Sequence, residues 1–188
     1  MANHSFSIQK VQVNQVIRET ADAKTFILKI LSGSDLAYKP GQFLTLVFYT
    51  EHGEKRRSYS ISSSPDVNEP LSITVKKVDN GTFSRKLVSD TKVGDLLLTS
   101  GIGGLFTLPE KHDRHGLLFF FAAGSGITPI YSMLKTLLFT RTGKAVLIYS
   151  NKSKSDTIFG DQIKDLVNRF PDRLMVRYLF SDIPDVHQ

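Results

Sequence analysis

The sequence predicts two unlike halves, a small antiparallel β-barrel over residues 1–109 and the opening of a doubly wound α/β domain over residues 117–188. Three observations carry this reading. Up to about residue 108 the hydrophobic signal has mainly period two, with turn residues at short intervals. After Pro109 it changes to solid apolar runs alternating with stripes of helical spacing. Between them, residues 110–116 are polar and read as a linker.

The barrel half is built from alternation. Phe26, Leu28 and Ile30 alternate with Ile27 and Lys29, and Leu71, Ile73 and Val75 alternate with Ser72, Thr74 and Lys76, as in half-buried strands. Gln42 to Tyr49 is apolar on both faces and is expected to be sandwiched. Ser32-Gly33-Ser34, Lys39-Pro40-Gly41, His52-Gly53 and Asp79-Asn80-Gly81 mark the turns. Phe83 to Ser89 is the one candidate helix in this half. Strands this closely spaced imply a closed or nearly closed barrel.

In the second half, Leu117 to Ala123 is a continuous apolar run, expected to be a strand covered on both faces of a parallel sheet. Ile130, Leu134, Leu137 and Leu138 form one helical stripe. Ala145 to Tyr149 is the next strand. Ile163, Leu166, Val167 and Phe170 form a second stripe, ended by Pro171, and Leu174 to Phe180 is a third strand. This β-α-β-α-β order opens a Rossmann-like domain. Three strands are few for one, and the expectation is a fragment, or a domain completed by another chain.

Composition narrows the chemistry. With 40% hydrophobic and 22% charged residues the chain reads as an ordinary soluble globular protein. No run approaches the roughly 20 apolar residues of a membrane span, and Met1 to Lys10 lacks the apolar core of a secretory signal, so a cytoplasmic location is expected. There is no cysteine among the 188 residues, which excludes disulfides, a cysteine-bound iron–sulfur cluster and a thiol nucleophile within them. Of five histidines only His112 and His115 are close together, without an evident third ligand, so no metal site is expected. The net charge of +6 is spread along the chain, and its densest cluster, Lys55-Arg56-Arg57, opens a strand pattern. An anionic dinucleotide accounts for that charge as well as a nucleic acid does.

Three motifs carry chemistry. In Arg57-Ser58-Tyr59-Ser60, residues two apart share one face of a strand, about 6–7 Å apart. Arg57 and Tyr59 then present a guanidinium beside an aromatic plane, suited to a cofactor with a diphosphate and a flat ring. Ser60 adds a hydroxyl; the alternative is an ordinary edge strand with exposed polar residues. Asn80-Gly81-Thr82-Phe83-Ser84 precedes the candidate helix, where free N–H groups make an anion site, unless it is a plain turn with an N-cap. Gly124-Ser125-Gly126-Ile127-Thr128-Pro129 lies between a strand and a helix, the context of a dinucleotide-binding turn, with Pro129 where the third glycine of G-x-G-x-x-G would stand. After the next strand, Asn151 and Lys152 begin a basic, hydroxyl-rich loop, which leans toward NADP over NAD.

In this order the motifs resemble those of the ferredoxin-NADP reductase superfamily. R-x-Y-[ST] corresponds to Arg57 to Ser60, and K/R-P-G-Q-[FY] to Lys39 to Phe43. The diphosphate loop corresponds to Gly81 and Ser84, and G-[ST]-G-I-[AT]-P to Gly124 to Pro129. The resemblance implies a six-stranded Greek-key barrel binding FAD, then an NAD(P)-binding domain. It implies that Arg57 binds the FAD diphosphate, that Tyr59 stacks on the isoalloxazine, and that Ser60 hydrogen-bonds near flavin N5, with Tyr59 and Ser60 at the reacting ring. Val75, Lys76 and Lys77 would line the ribityl and diphosphate path, and Ser84 would close it. Ser125 and Thr128 would lie where nicotinamide and flavin meet. Among members, the chain looks most like reductase components of bacterial oxygenases, the phenylacetyl-CoA epoxidase type included. The implied activity passes a hydride from NAD(P)H to FAD, then single electrons to an iron–sulfur or haem acceptor. Any [2Fe–2S] cluster would belong to a further C-terminal domain or a partner. Two departures stand out: Ile102 replaces the proline of the family's Gly-Pro-x-Gly-x-Phe, and the later cysteine-glycine segment is absent. A non-catalytic flavin-binding electron-transfer protein and a nucleic-acid-binding β-barrel are the alternatives.

Overall fold

The computed structural model describes residues 8–31, 36–109 and 116–182. The first half is one antiparallel sheet of six strands: β1 (Gln9–Arg18), β2 (Ala23–Ile30), β3 (Phe43–Thr50), β4 (Gly53–Ser60), β5 (Ser72–Lys76) and β6 (Leu96–Gly103). Their spatial order is β4-β3-β6-β1-β2-β5. An antiparallel bridge from Ile61 to Ile73 joins the two outer strands and curls the sheet into a barrel. Placing β6 between β1 and β3 gives the Greek-key path that periodicity alone left open.

Inward-pointing Val11, Val13, Phe26, Leu28, Leu44, Leu46, Ile73 and Val75 fill the barrel. Helix α1 (Thr82–Asp90) seals one end with Leu87 and Val88, and extends one residue beyond the predicted helix at each end. Gly41, in the Lys39-Pro40-Gly41 turn, has φ +98°, and a Cβ there would collide with the Phe106 carbonyl oxygen. Only glycine suits that turn.

Two strand expectations are corrected. On β5 both faces are buried, not one: Thr74 shares a 2.7 Å hydroxyl hydrogen bond with Thr25, and Ser72 accompanies them. Thr25 and Ser72 line a cavity whose far wall holds Tyr131 and Phe159 of the second half. The polar face of β5 is thus an internal seam. On β3 the sandwiching fades at the end, where Tyr49 stands exposed.

The second half has three parallel strands, β7 (Leu117–Ala123), β8 (Lys144–Asn151) and β9 (Leu174–Phe180), in sequence order. Helices α2 (Ile127–Thr140) and α3 (Gly160–Arg169) bury Phe120, Ala122, Ala145, Leu147, Tyr149 and Leu174 between themselves and the sheet. Ala23 and Leu108 from the barrel half join this core. Arg173 satisfies the carbonyls ending α2, donating to Leu137, Leu138 and Arg141 at 2.7–3.0 Å.

The expectation that β7 is covered on both faces is overturned. Leu117, Phe119 and Phe121 are 50%, 57% and 69% exposed, and Met175 and Leu179 of β9 are exposed too. Among the described residues, helices cover one face only, although the run is apolar on both because a parallel sheet takes cover on both sides.

The Ser32-Gly33-Ser34 turn, most of the linker, His112 and His115 lie outside the described residues. Among the described residues, no helix is long and apolar enough to cross a membrane, and no cluster of three metal-ligating side chains occurs.

Candidate functional site

Arg57 and Tyr59 pair in register with Leu46 and Leu44, whose side chains enter the barrel core. Directly opposed residues of an antiparallel pair share a face. Both therefore lie on that strand face, with Tyr59 packed against the barrel core and Arg57 exposed at the end where α1 stands. Ser58 points outward and bonds the Thr45 hydroxyl at 3.0 Å. The Arg57 guanidinium carbon lies 4.9 Å from the centre of the Phe83 ring, which itself packs on Phe48 at 4.5 Å. Among the described residues no carboxylate pairs with Arg57; its Nη1 donates to the Arg56 carbonyl at 2.7 Å. Tyr59 is half-buried, and burial pushes its phenol up to about 12 while Arg57 pulls it down. Ser60 follows, partly exposed.

The next layer comes from β5 and the start of α1. Val75 is buried in the barrel, so only its backbone faces outward. Lys76 is 3.5 Å from Asp22, and Lys77 is exposed, with its N–H donating to the Asp22 carbonyl at 2.7 Å. Gly81 caps α1, followed by exposed Thr82 and half-buried Phe83. The Ser84 hydroxyl donates to the Gly81 carbonyl at 3.1 Å and accepts the Val78 N–H at 3.2 Å, closing the loop on itself.

The glycine-rich turn is a short 3₁₀ segment, Gly124–Gly126, leading into α2. Gly124 has φ +48°, and a Cβ built there would sit 3.9 Å from Lys76 Nζ. This close approach brings the strand carrying Lys76 to the turn. Ser125 and Gly126 are exposed, and Pro129 is partly so. Thr128 is buried and its hydroxyl is used inside the turn, donating to the Ser125 carbonyl at 2.9 Å.

Tyr149 pins the turn from below: its hydroxyl is 3.1 Å from the Gly124 carbonyl and 3.3 Å from that of Ile158, and burial raises its pKa. Two residues on, Asn151 is buried beside the Tyr149 hydroxyl, whose pKa it lowers, and among the described residues neither polar atom of its carboxamide has a well-formed hydrogen bond. Lys152 is exposed, and its carbonyl accepts the Asp182 N–H at 2.9 Å. Neither Asp22 nor Tyr149 was singled out from sequence. The available signal for Tyr149 was a hydroxyl-bearing ring in an otherwise aliphatic strand.

The residues fit the groups that their types imply. An unpaired guanidinium beside half-buried aromatic planes, with a capped helix start nearby, suits a diphosphate attached to a flat ring. A buried carboxamide with unmet donors and an unmet acceptor, beside the glycine turn, suits a nucleotide at the ends of parallel strands.

Comparison with known proteins agrees. The oxidoreductase FAD-binding domain family matches residues 10–108, and the oxidoreductase NAD-binding domain family matches residues 120–187. The ferredoxin reductase component of 3-ketosteroid-9-alpha-monooxygenase from Mycolicibacterium smegmatis is 37% identical over 90% of this chain and 49% of its own length. A component of the Escherichia coli 1,2-phenylacetyl-CoA epoxidase is 34% identical over 95% of this chain and 49% of its own length. The chain spans about half the length of these curated relatives. In fold it is similar to Plasmodium falciparum ferredoxin-NADP+ reductase, with TM-score 0.79 and 24% identity over 95% of this chain and 75% of that one. The chain therefore belongs to the ferredoxin-NADP reductase family, with an FAD-binding domain followed by an NAD-binding domain.

Proposed function

We propose that this chain is the FAD- and NAD(P)H-binding part of a reductase that takes a hydride from NAD(P)H and passes single electrons to an iron–sulfur protein or an oxygenase. The supporting observation is convergence: Lys76, on the strand joined to that of Arg57 and Tyr59 through the Ile61–Ile73 bridge, meets the Gly124 turn. Residues 1–109 form the flavin domain in this reading, 110–116 the linker and 117–188 part of the nicotinamide domain.

Arg57 would hold the FAD diphosphate, with the N–H groups at Thr82 and Phe83 and the Ser84 loop beside it. Tyr59, neutral across the physiological range, stacks on the ring, and Ser60 hydrogen-bonds its edge. Lys76 and Lys77 balance the negative charge along the connecting chain. The Gly124-Ser125-Gly126 turn, with Thr128 and Pro129 shaping it, receives the nicotinamide nucleotide. Asn151 bonds the nucleotide's polar groups, and Lys152 adds a cation for a 2′-phosphate, which tilts the choice toward NADPH. When bound, FAD supplies the conversion between two-electron and one-electron transfer. The protein's part is to bind, orient and exclude water. This reading implies a cytoplasmic location, beside the pyridine-nucleotide pool.

Reconstitution tests it. The purified chain is expected to take up FAD and turn yellow, and anaerobic mixing with NADPH or NADH then bleaches it. A preparation that gains no FAD refutes the reading. A yellow protein that neither nucleotide bleaches is a passive flavin-binding module.

A further inference from the structure

We propose that Lys135 is a positioning residue: paired with Glu69, it locks α2 to the segment joining β4 and β5, and so sets the spacing of the two cofactor surfaces. This rests on the function proposed above for those surfaces; the lock itself rests on geometry alone.

Helix α2 has two buried faces of opposite character. Ile130, Leu134, Leu137 and Leu138 pack toward the sheet, while Ser132, Lys135 and Thr136 are buried on another side. That polar side meets residues 62–70 of the barrel half. Lys135 Nζ forms an ion pair with Glu69 Oε2, its side chain only 7% exposed, and lies 4.3 Å from the Tyr131 ring centre. The same Glu69 oxygen accepts the Ser64 N–H at 2.8 Å. Ser132 donates to the Ser63 carbonyl at 2.5 Å, and Thr136 shares a 2.6 Å hydroxyl contact with Ser64.

An ammonium this buried is costly unless paired, so a seam built around one has a single favourable seating. Desolvation lowers the Lys135 pKa and Glu69 opposes that shift, as expected of a charge held inside protein. Residues 62–70 run straight on from Tyr59 and Ser60 and lead into β5 with Lys76, and α2 begins at the glycine turn. The lock therefore joins the backbone behind one cofactor surface to the helix behind the other. Hydride transfer depends steeply on such spacing, since a misplacement of about 1 Å can cost about 100-fold in rate.

The absence of cysteine makes a direct distance test clean. Exposed Ser89 and Asn168 are changed to cysteine, spin-labelled, and their separation is measured by pulsed electron resonance without any cofactor. The parent is expected to give one narrow distribution. Lys135→Met and Glu69→Gln should each at least double its width at unchanged secondary structure, and the double variant should be no wider than Lys135→Met. Glu69→Gln keeps an acceptor for the Ser64 N–H, so it decides the matter if Lys135→Met does not fold. An unchanged width in a folded variant overturns the lock. With FAD loaded, the same variants should slow reduction by nicotinamide nucleotide more than 10-fold while FAD affinity stays within twofold. Broadening without slowed reduction overturns the link to spacing. A chain that takes no FAD refutes the functional reading, whereas the distance result stands on its own.

Discussion

Replacing Arg57 with alanine is expected to weaken FAD binding by about 2–4 kcal/mol. Among the described residues the guanidinium makes one hydrogen bond, Nη1 to the Arg56 carbonyl at 2.7 Å, which leaves the rest of its fork for an anion. Two charge-assisted bonds to a diphosphate contribute about 1.5–3 kcal/mol each, discounted because the group is solvated before the ligand arrives. At about 1.4 kcal/mol per decade, the loss is roughly 30-fold to 700-fold in Kd. The fold should tolerate the change, because the chief intramolecular loss is the contact with Phe83, about 0.5–1 kcal/mol at such a site. Quenching of flavin fluorescence on titration of the apoprotein gives Kd, and a salt series shows whether the wild-type advantage is ionic. Arg57→Lys should fall between the two, keeping charge but losing the fork. A Kd within threefold of wild type at unchanged thermal stability would place the diphosphate elsewhere.

Further outcomes follow from the same geometry. Asn151→Ala should cost less than about 1 kcal/mol in urea unfolding, because it removes a buried amide without good partners. It should weaken binding of 2′-phospho-AMP or ADP-ribose at least fivefold by calorimetry. Since Tyr59 is raised from about 10 unfolded to about 12 folded, the folded state holds its proton longer; its stability contribution is complete below pH 10 and is lost between pH 10 and 12. Tyr59→Phe should remove one absorbance transition at 295 nm near pH 12. On β7, Phe120→Ala should destabilise by about 3–5 kcal/mol and Phe121→Ser by less than about 1 kcal/mol, because Phe120 is under the helices and Phe121 is on the open face. Phe121→Ser should also lower the fluorescence of a bound hydrophobic dye; equal destabilisation by both changes would mean that the second face is covered.

Much of the architecture was legible because it is local. Alternation at Phe26 to Ile30, the stripe from Ile130 to Leu138 and Pro171 ending α3 all arise within one or two turns of chain. The pairing of Arg57 and Tyr59 on one face follows from the two-residue period of any strand. Order along the chain likewise located the Gly81 and Gly124 turns before their surroundings were known.

Burial was less legible, because it depends on which distant surfaces meet. Ser72 and Thr74 alternate with apolar residues as a solvent face would, and Ser132, Lys135 and Thr136 lie off the apolar stripe of α2, yet all five are buried, and Ser72 and Lys135 line one cavity. The apolar run Leu117 to Ala123 was rightly a strand, yet its outer face stands open among the described residues, since α2 and α3 share one side. The strand order β4-β3-β6-β1-β2-β5 and the approach of Lys76 to Gly124 also come from long-range closure. The sequence by itself determined the elements, their order and the residue types at the cofactor surfaces, because backbone sterics and hydrophobic period act over a few residues. Only the tertiary structure decided which polar faces are internal and how near the two surfaces lie, because those follow from packing between segments tens of residues apart.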